Sequence, residues 1–382
     1  MFAERTTTNH VMFAERTTNI GEIARQQQLI RCFVMDDIEA NGQQVLKRLE
    51  AFPRCRLAHL PTPLEAMERL SKRLESVSLF VKRDDCTGLA FGGNKIRQLE
   101  FYLGQAEKEE ADTILITGAV QSNFVRSAAA AARRLGMECH IQLEERVPGV
   151  DTLHRTSGNV LLSRILGATL HSYPSGEDEA GADANLSKIA EQLRHDGSRP
   201  YIIPLGSGHD PLGALGYIDA AVELTTQLSQ QSIRMDHLVV TSGSGSTHAG
   251  LLFGLRSLGS KICVTGVCPR RDARSQEQRI AGHVKRLTRM LGFDPGIGPD
   301  DIRLTDISLA PGYGQLNDQT VEALQLTAQC EGLFLDPVYT AKAMAGLFHL
   351  VKQREISGHV LFWHTGGQPA LFGYGDALMG LE

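Results

Sequence analysis

Apolar positions along this chain fall into short runs, separated by longer stretches in which they recur every three or four residues. Leu79-Phe-Val-Lys82, Thr113-Ile-Leu-Ile-Thr117, Glu138 to Leu143, Tyr201 to Pro204, His237-Leu-Val-Val-Thr241, Lys261 to Val267 and His359 to Trp363 read as strands. The spacing predicts helices over 95–109, 123–135, 158–166, 247–258, 319–331 and 340–353. Buried strands alternating with amphipathic helices imply an α/β chain built on open, twisted, mostly parallel sheets flanked by helices. In such sheets ligands bind at the loops after the strands, and three of those loops are rich in glycine.

The loop from Thr241 to Gly250 ends one strand and opens a helix. Gly243 and Gly245 allow close backbone approach, Ser244, Ser246 and Thr247 offer hydroxyls, and free amides at the helix start attract an anion such as a phosphate. A serine-capped tight turn accounts for the same residues equally well. The loop lacks the lysine of a P-loop. A dinucleotide fingerprint needs glycine where His248 stands and an acid after the next strand, where 264–269 has none. A smaller phosphate-bearing cofactor fits better.

Lys95 follows two glycines at the first turn of a helix, where the positive end of the dipole disfavours an ammonium and favours a nucleophilic amine. A solvated surface lysine is the commoner meaning of such a residue. Gln121-Ser122-Asn123 offers donors for a carboxylate or a phenolic oxygen, although Ser122 or Asn123 alone could simply cap the next helix. His364 reads as a packed or bridging histidine and Trp363 as core.

Composition narrows the class. The 382 residues suffice for two medium domains, and 42% hydrophobic with 22% charged residues is ordinary for a globular protein. A net charge of −5 without a basic block argues against a nucleic-acid partner. No apolar run approaches the ~20 residues of a membrane span, so no membrane partner and a cytoplasmic location are expected. Seven scattered cysteines without a C-x-x-C indicate neither a disulfide framework nor a zinc site, and no metal is expected. The heptapeptide Met1 to Thr7 returns as Met12 to Thr18, too few copies for a solenoid, and reads as a duplicated start. Residues 1–50 are expected to form an extension, disordered or helical, without chemistry.

Several spaced segments together resemble one family. They are Leu60-Pro-Thr-Pro-Leu64, Lys82-Arg-Asp-Asp85, Gly92-Gly-Asn-Lys-Ile-Arg97, Gln121-Ser-Asn123, the loop at 242–247, Pro311-Gly-Tyr-Gly314, Asp336-Pro-Val-Tyr339 and His364-Thr-Gly-Gly367. In this order they resemble the fold-type II pyridoxal 5′-phosphate (PLP) enzymes, which are tryptophan synthase β-like. The branch contains 1-aminocyclopropane-1-carboxylate (ACC) deaminase, D-cysteine desulfhydrase and L-cysteate sulfo-lyase. The resemblance implies a large PLP-binding domain from 51–97 and 207–382, a small α/β domain over 98–206, an active site in the cleft between them, and a homodimer. It implies a Schiff-base and proton-transfer role for Lys95, and a phenolic-oxygen contact for Asn123. The phosphate would lie on Gly243, Ser244, Gly245, Ser246 and Thr247. The substrate, a small amino acid, would meet Gln121, Ser122 and Asn123 and lie between Tyr313 and Tyr339. A core aromatic is the plain alternative for Tyr339.

The resemblance also bears on the reaction. In the deaminase a glutamate follows the active-site tyrosine and keeps the cofactor's pyridine nitrogen protonated; here Thr340 stands there, and Thr365 replaces an apolar residue. A hydroxyl can donate to an unprotonated nitrogen, a weaker electron sink that suits β-elimination. D-Cysteine, giving pyruvate, ammonia and hydrogen sulfide, is therefore the expected substrate. Cys86 to Gly93 and His209 to Gly213 lean toward the deaminase, and Phe124 replaces the histidine that desulfhydrases carry. ACC deamination, cysteate cleavage and elimination from another cysteine analogue remain as alternatives.

Overall fold

The computed structural model describes residues 39–176, 178–206 and 208–378. The heptapeptide repeat lies outside the described residues. Within the extension expected to be disordered or helical, residues 39–49 form α1. The chain continues through β1 (Leu64–Ala66), α2 (Glu68–Leu74), β2 (Val77–Arg83), α3 (Asn94–Lys108), β3 (Thr113–Ala119), α4 (Asn123–Arg134) and β4 (Glu138–Glu144). Next come α5 (Thr152–Thr156), α6 (Gly158–Ile165), β5 (Thr169–Tyr173), α7 (Glu179–His195), β6 (Pro200–Ile203), α8 (Leu212–Gln230) and β7 (His237–Thr241). The last part holds α9 (Ser246–Ser257), β8 (Cys263–Val267), α10 (Ala273–Leu291), β9 (Arg303–Thr305), α11 (Asp318–Glu331), α12 (Thr340–Lys352) and β10 (Gly358–His364).

The strands form two open sheets. One has six strands in the order β1-β2-β10-β7-β8-β9, parallel except for the edge strand β1; the other has four parallel strands, β5-β4-β3-β6. The fold is thus the α/β, mostly parallel architecture that the apolar pattern predicts. Central strands are apolar on both faces because helices cover both; every residue of β3 is buried. Helices α8 and α9 pack closely through glycine. A Cβ at Gly250 would lie 2.4 Å from the Ala214 carbonyl oxygen, and one at Gly254 2.6 Å from Ala221 Cβ.

The apolar pattern does not reveal α7, α8 or α10, nor β1, β5 and β9. Helix α8 is buried on most sides and has Gly213 and Gly216 in its first five residues, so it lacks the polar face that marks a surface helix. Strands β1 and β9 have three residues each, too few to show alternation. No helix among the described residues is long and apolar enough to cross a membrane.

A buried polar network joins the larger sheet to the helices over it. Asp84, just after β2, accepts from Arg97 of α3, Tyr217 of α8, Trp363 of β10 and Thr62. Arg97 also reaches Glu223, which pairs with Lys82 at 2.5 Å. Burial alone would raise the Asp84 carboxyl, but Arg97, Lys82 and the bonds from Tyr217 and Trp363 hold it below its ordinary value. Asp84→Ala strips Arg97 of its fully buried partner and should cost about 3–5 kcal/mol. Urea unfolding of the variant checks this; a loss below about 1 kcal/mol would mean that Glu223 carries Arg97 alone.

Candidate active site

Loops from both sheets meet around a cleft of about 1020 Å³, its open mouth included. Its wall carries Lys95, Ser122, Asn123, Gly243, Ser244, Gly245, Thr247, Tyr313, Tyr339 and Thr365, residues scattered over 270 positions of sequence (from 95 to 365). Two candidates lie outside this lining. Gln121 spends its amide within the wall, donating to the His154 and Ser157 carbonyls and accepting from Asn159 N at 2.9 Å. It braces the loop instead of meeting a ligand. The Ser246 side chain lines a smaller neighbouring recess beside His209 and His283.

Lys95 sits in the first turn of α3, whose start is fixed by backbone contacts. Asn94 N donates to Thr365 O at 3.0 Å, and Gly93 N to Asp84 O at 3.0 Å. Gly366 leaves no room there: a Cβ would lie 2.6 Å from Gly93 Cα. The Lys95 side chain is half-buried because it opens on the cleft. Burial pushes its pKa down to about 8. Its Nζ lies 5.0 Å from the centre of the Phe124 ring, an apolar neighbour that withholds solvation.

The 242–247 loop carries α9 into the cleft with no side chain capping its first turn. A buried, uncapped helix start leaves amides in want of an acceptor. Thr247 Oγ1 accepts from both Asn94 Nδ2 and Gln98 Nε2 at 2.9 Å, which leaves its own proton for a third partner. At the start of α4, Ser122 Oγ caps the helix by accepting from Phe124 N and Val125 N. The capping role is therefore real, and the hydroxyl proton is still free to donate. Asn123 Oδ1 is held by Asn159 Nδ2 at 2.9 Å, so its Nδ2 is left as a donor. Arg126 orients Asn159 at 3.1 Å and also donates to the Ala90 and Gly92 carbonyls beneath the glycine turn. Burial drops that guanidinium to about 10.

Tyr313 and Tyr339 share a hydrogen bond of 2.6 Å between their hydroxyls. Burial and the neighbouring Tyr313 hold the Tyr339 phenol well above its ordinary value. Thr340 does not join the lining. Its hydroxyl donates to Asp336 Oδ1 at 2.7 Å and accepts from Asp336 N at 2.6 Å, so it is part of the turn that starts α12. Of the two threonines only Thr365 faces the cleft. His364 bridges the Phe334 carbonyl and Gly366 N, and Trp363 is buried core with Nε1 on Asp84.

Sequence reasoning misses the charged wall. Glu144, Arg146, Glu179, Asp183, Arg270 and Arg279 all line the cleft. Arg146 follows the end of β4, a place where ligands gather in parallel sheets, and that position was the available signal.

The chain matches the model of pyridoxal-phosphate-dependent enzymes over residues 55–366. It belongs to that family. D-Cysteine desulfhydrases of Salmonella choleraesuis and Salmonella newport are each 41% identical over 331 residues, 86% of this chain and 98% of theirs. Among solved structures, an ACC deaminase homologue is 32% identical with a TM-score of 0.80, covering 89% of this chain and 99% of its own. Threonine deaminase isoform 2 of Solanum lycopersicum, in its processed form, reaches a TM-score of 0.61 at 20% identity, covering 89% and 94%. The second likeness speaks for the fold alone. The cleft suits the family's cofactor: an uncapped helix start for a phosphate, an amide donor at Asn123, and an amine at Lys95.

Only the neutral Lys95 amine reacts with electrophiles, so its labelling in cofactor-free protein should rise through a midpoint near pH 8. Peptide mapping after trinitrobenzenesulfonate treatment across pH 6–11 measures this, the range spanning about two units or more either side. A midpoint above pH 10, the ordinary lysine value of about 10.4, would contradict the desolvated setting.

Proposed function

We propose that this enzyme is a carbon–sulfur lyase that eliminates the β-substituent of a small amino acid. D-Cysteine and water would give pyruvate, ammonia and hydrogen sulfide. One observation carries the choice of reaction: Thr365, a hydroxyl and not a carboxylate, stands in the cleft with a desolvated lysine. Asp336, the acid nearest Thr340, is committed to the amides of Val338, Tyr339 and Thr340. The 41% identity to D-cysteine desulfhydrases supports the same reading.

When bound, the cofactor supplies an electron sink for the pair left at Cα. The amides and hydroxyls of 243–247 would hold its phosphate, Asn123 Nδ2 its phenolic oxygen, and Thr365 its ring nitrogen by a hydrogen bond. The Lys95 amine would carry the cofactor and then move the Cα proton, a task to which a pKa near 8 is suited. The Ser122 hydroxyl, whose proton the cap leaves free, would donate to the α-carboxylate. Tyr313 and Tyr339 would flank the substrate, their shared proton lying beside the departing group.

The same reading divides the chain into 51–97 with 207–382 and 98–206. In support, every strand of the four-stranded sheet comes from 113–203. It also includes a homodimer, for which exposed Leu161, Ile165 and Phe372 offer apolar surface.

Holoenzyme assayed with D-cysteine, L-cysteine and ACC should release pyruvate and sulfide fastest from D-cysteine. Oxobutanoate from ACC at a comparable rate would overturn the choice. Borohydride reduction should place a pyridoxyl group on Lys95, and Lys95→Ala should lower turnover by about a thousandfold or more.

A further inference from the structure

One part of the wall has no task in the reaction so far. Arg146 lines the cleft with its side chain 8% exposed. Its Nε and Nη2 both donate to Glu144 Oε2, at 2.9 and 2.8 Å, and Glu144 Oε1 accepts from Thr117 Oγ1 at 2.7 Å. The guanidinium is therefore aimed by a carboxylate that is itself fixed. Its Nη1 takes part in neither bond, so half of the fork is left for another acceptor. Tyr313 and Tyr339, the pair placed beside the departing group, are near enough to interact with its charge.

Arg146 belongs to a charged wall that also carries Arg270, Arg279, Glu144, Glu179 and Asp183. Arg270, Arg271 and Arg279 each pair with Glu179, Arg270 at 3.0 Å and Arg279 at 3.5 Å. The third acid of the wall, Asp183, is held toward its neutral form by burial and by Glu179 and Glu144, against the pull of His209. Burial and the crowding of Arg270 and Arg279 press Arg271 down to about 10. Arg271 and Arg279 have a further task in stiffening the 242–247 loop, donating to the carbonyls of Gly243 and Ser244. Arg146 instead stands at the end of β4, by the tyrosines.

We propose that Arg146 is a specificity-determining residue that receives negative charge on the substrate's β-substituent. This rests on the β-elimination reading and names its substrate class: small amino acids whose β-substituent already carries negative charge when bound. In the elimination the Cα proton passes to a base, and the Cβ–S bond breaks with both electrons going to sulfur. D-Cysteine then loses hydrosulfide. An amino acid with a β-sulfonate loses sulfite, the balance being cysteate plus water to pyruvate, ammonium and hydrogen sulfite. A guanidinium held by Glu144 in the cleft wall would pair with a charge that the substituent carries from binding onward. Its planar fork matches the paired oxygens of a sulfonate better than an ammonium would.

The test compares kcat/KM for two substrates that yield pyruvate in the same assay, cysteate with its fixed negative charge and β-chloroalanine with a neutral substituent, each as both enantiomers. Wild-type holoenzyme should release sulfite from cysteate. Arg146→Met should lower the cysteate to β-chloroalanine ratio at least tenfold, and Arg146→Lys should recover part of it. The cofactor's absorbance band verifies that each variant is folded and loaded. An equal loss on both substrates would overturn the proposal, since it would place Arg146 at the α-carboxylate or in the framework. Cysteate that is neither cleaved nor inhibitory would overturn it as well. Pyruvate from no β-substituted amino acid would instead defeat the underlying reading.

Discussion

Everything in the cleft depends on a carboxylate that never reaches it. Asp84 is fully buried, and a charge so placed is tolerable only when surrounded by donors. Those donors come from α3, α8, β10 and the segment before β1, so satisfying one side chain fixes four pieces of chain. Arg97 lies two residues past Lys95 on the same helix. The position of the lysine is thus set by a salt bridge at the level of the sheet, below the loop that displays it.

The smaller sheet contributes by a different device, a ladder of amides. Arg126 holds Asn159, Asn159 holds Asn123, and Gln121 ties the same loop to the carbonyls of His154 and Ser157. None of these bonds needs a ligand, so the donors are oriented in advance. Preorganisation of this kind is where electrostatic stabilisation gains its strength. Arg126 also touches the carbonyls under the glycine turn, linking this ladder to the segment that carries Lys95.

Much of this was legible in the chain. Strands such as His237–Thr241 announce themselves by continuous apolar runs, and glycines beside polar residues mark the loops that converge. Lys95, Asn123, Thr365 and most of the 242–247 loop stand in the cleft. What stayed hidden depends on direction, which spacing does not encode. Gln121, Ser246 and Thr340 are neighbours in sequence of lining residues, yet one backbone step turns each toward the wall, a side recess or a helix cap. The arginines were hidden for another reason. Arg146 and Arg279 come from 133 positions apart, and no local pattern reports that they share a cavity with Glu144 and Glu179.

The two sides of the cleft also differ in what they allow to change. Gly366 lies against Gly93, main chain on main chain, and Asn94 is bonded to Thr365 through the backbone. No side chain mediates that contact, so no substitution can adjust it gradually; an added methyl would drive the lysine's turn and the threonine's turn apart together. At the end of β4 the wall is instead made of side chains, Glu144 and Arg146 among them, joined by side-chain bonds. A lineage built on this scaffold can therefore diverge in what it accepts while its lysine and Thr365 stay in step. Diversity should accumulate along one edge of the cleft and stop at the other.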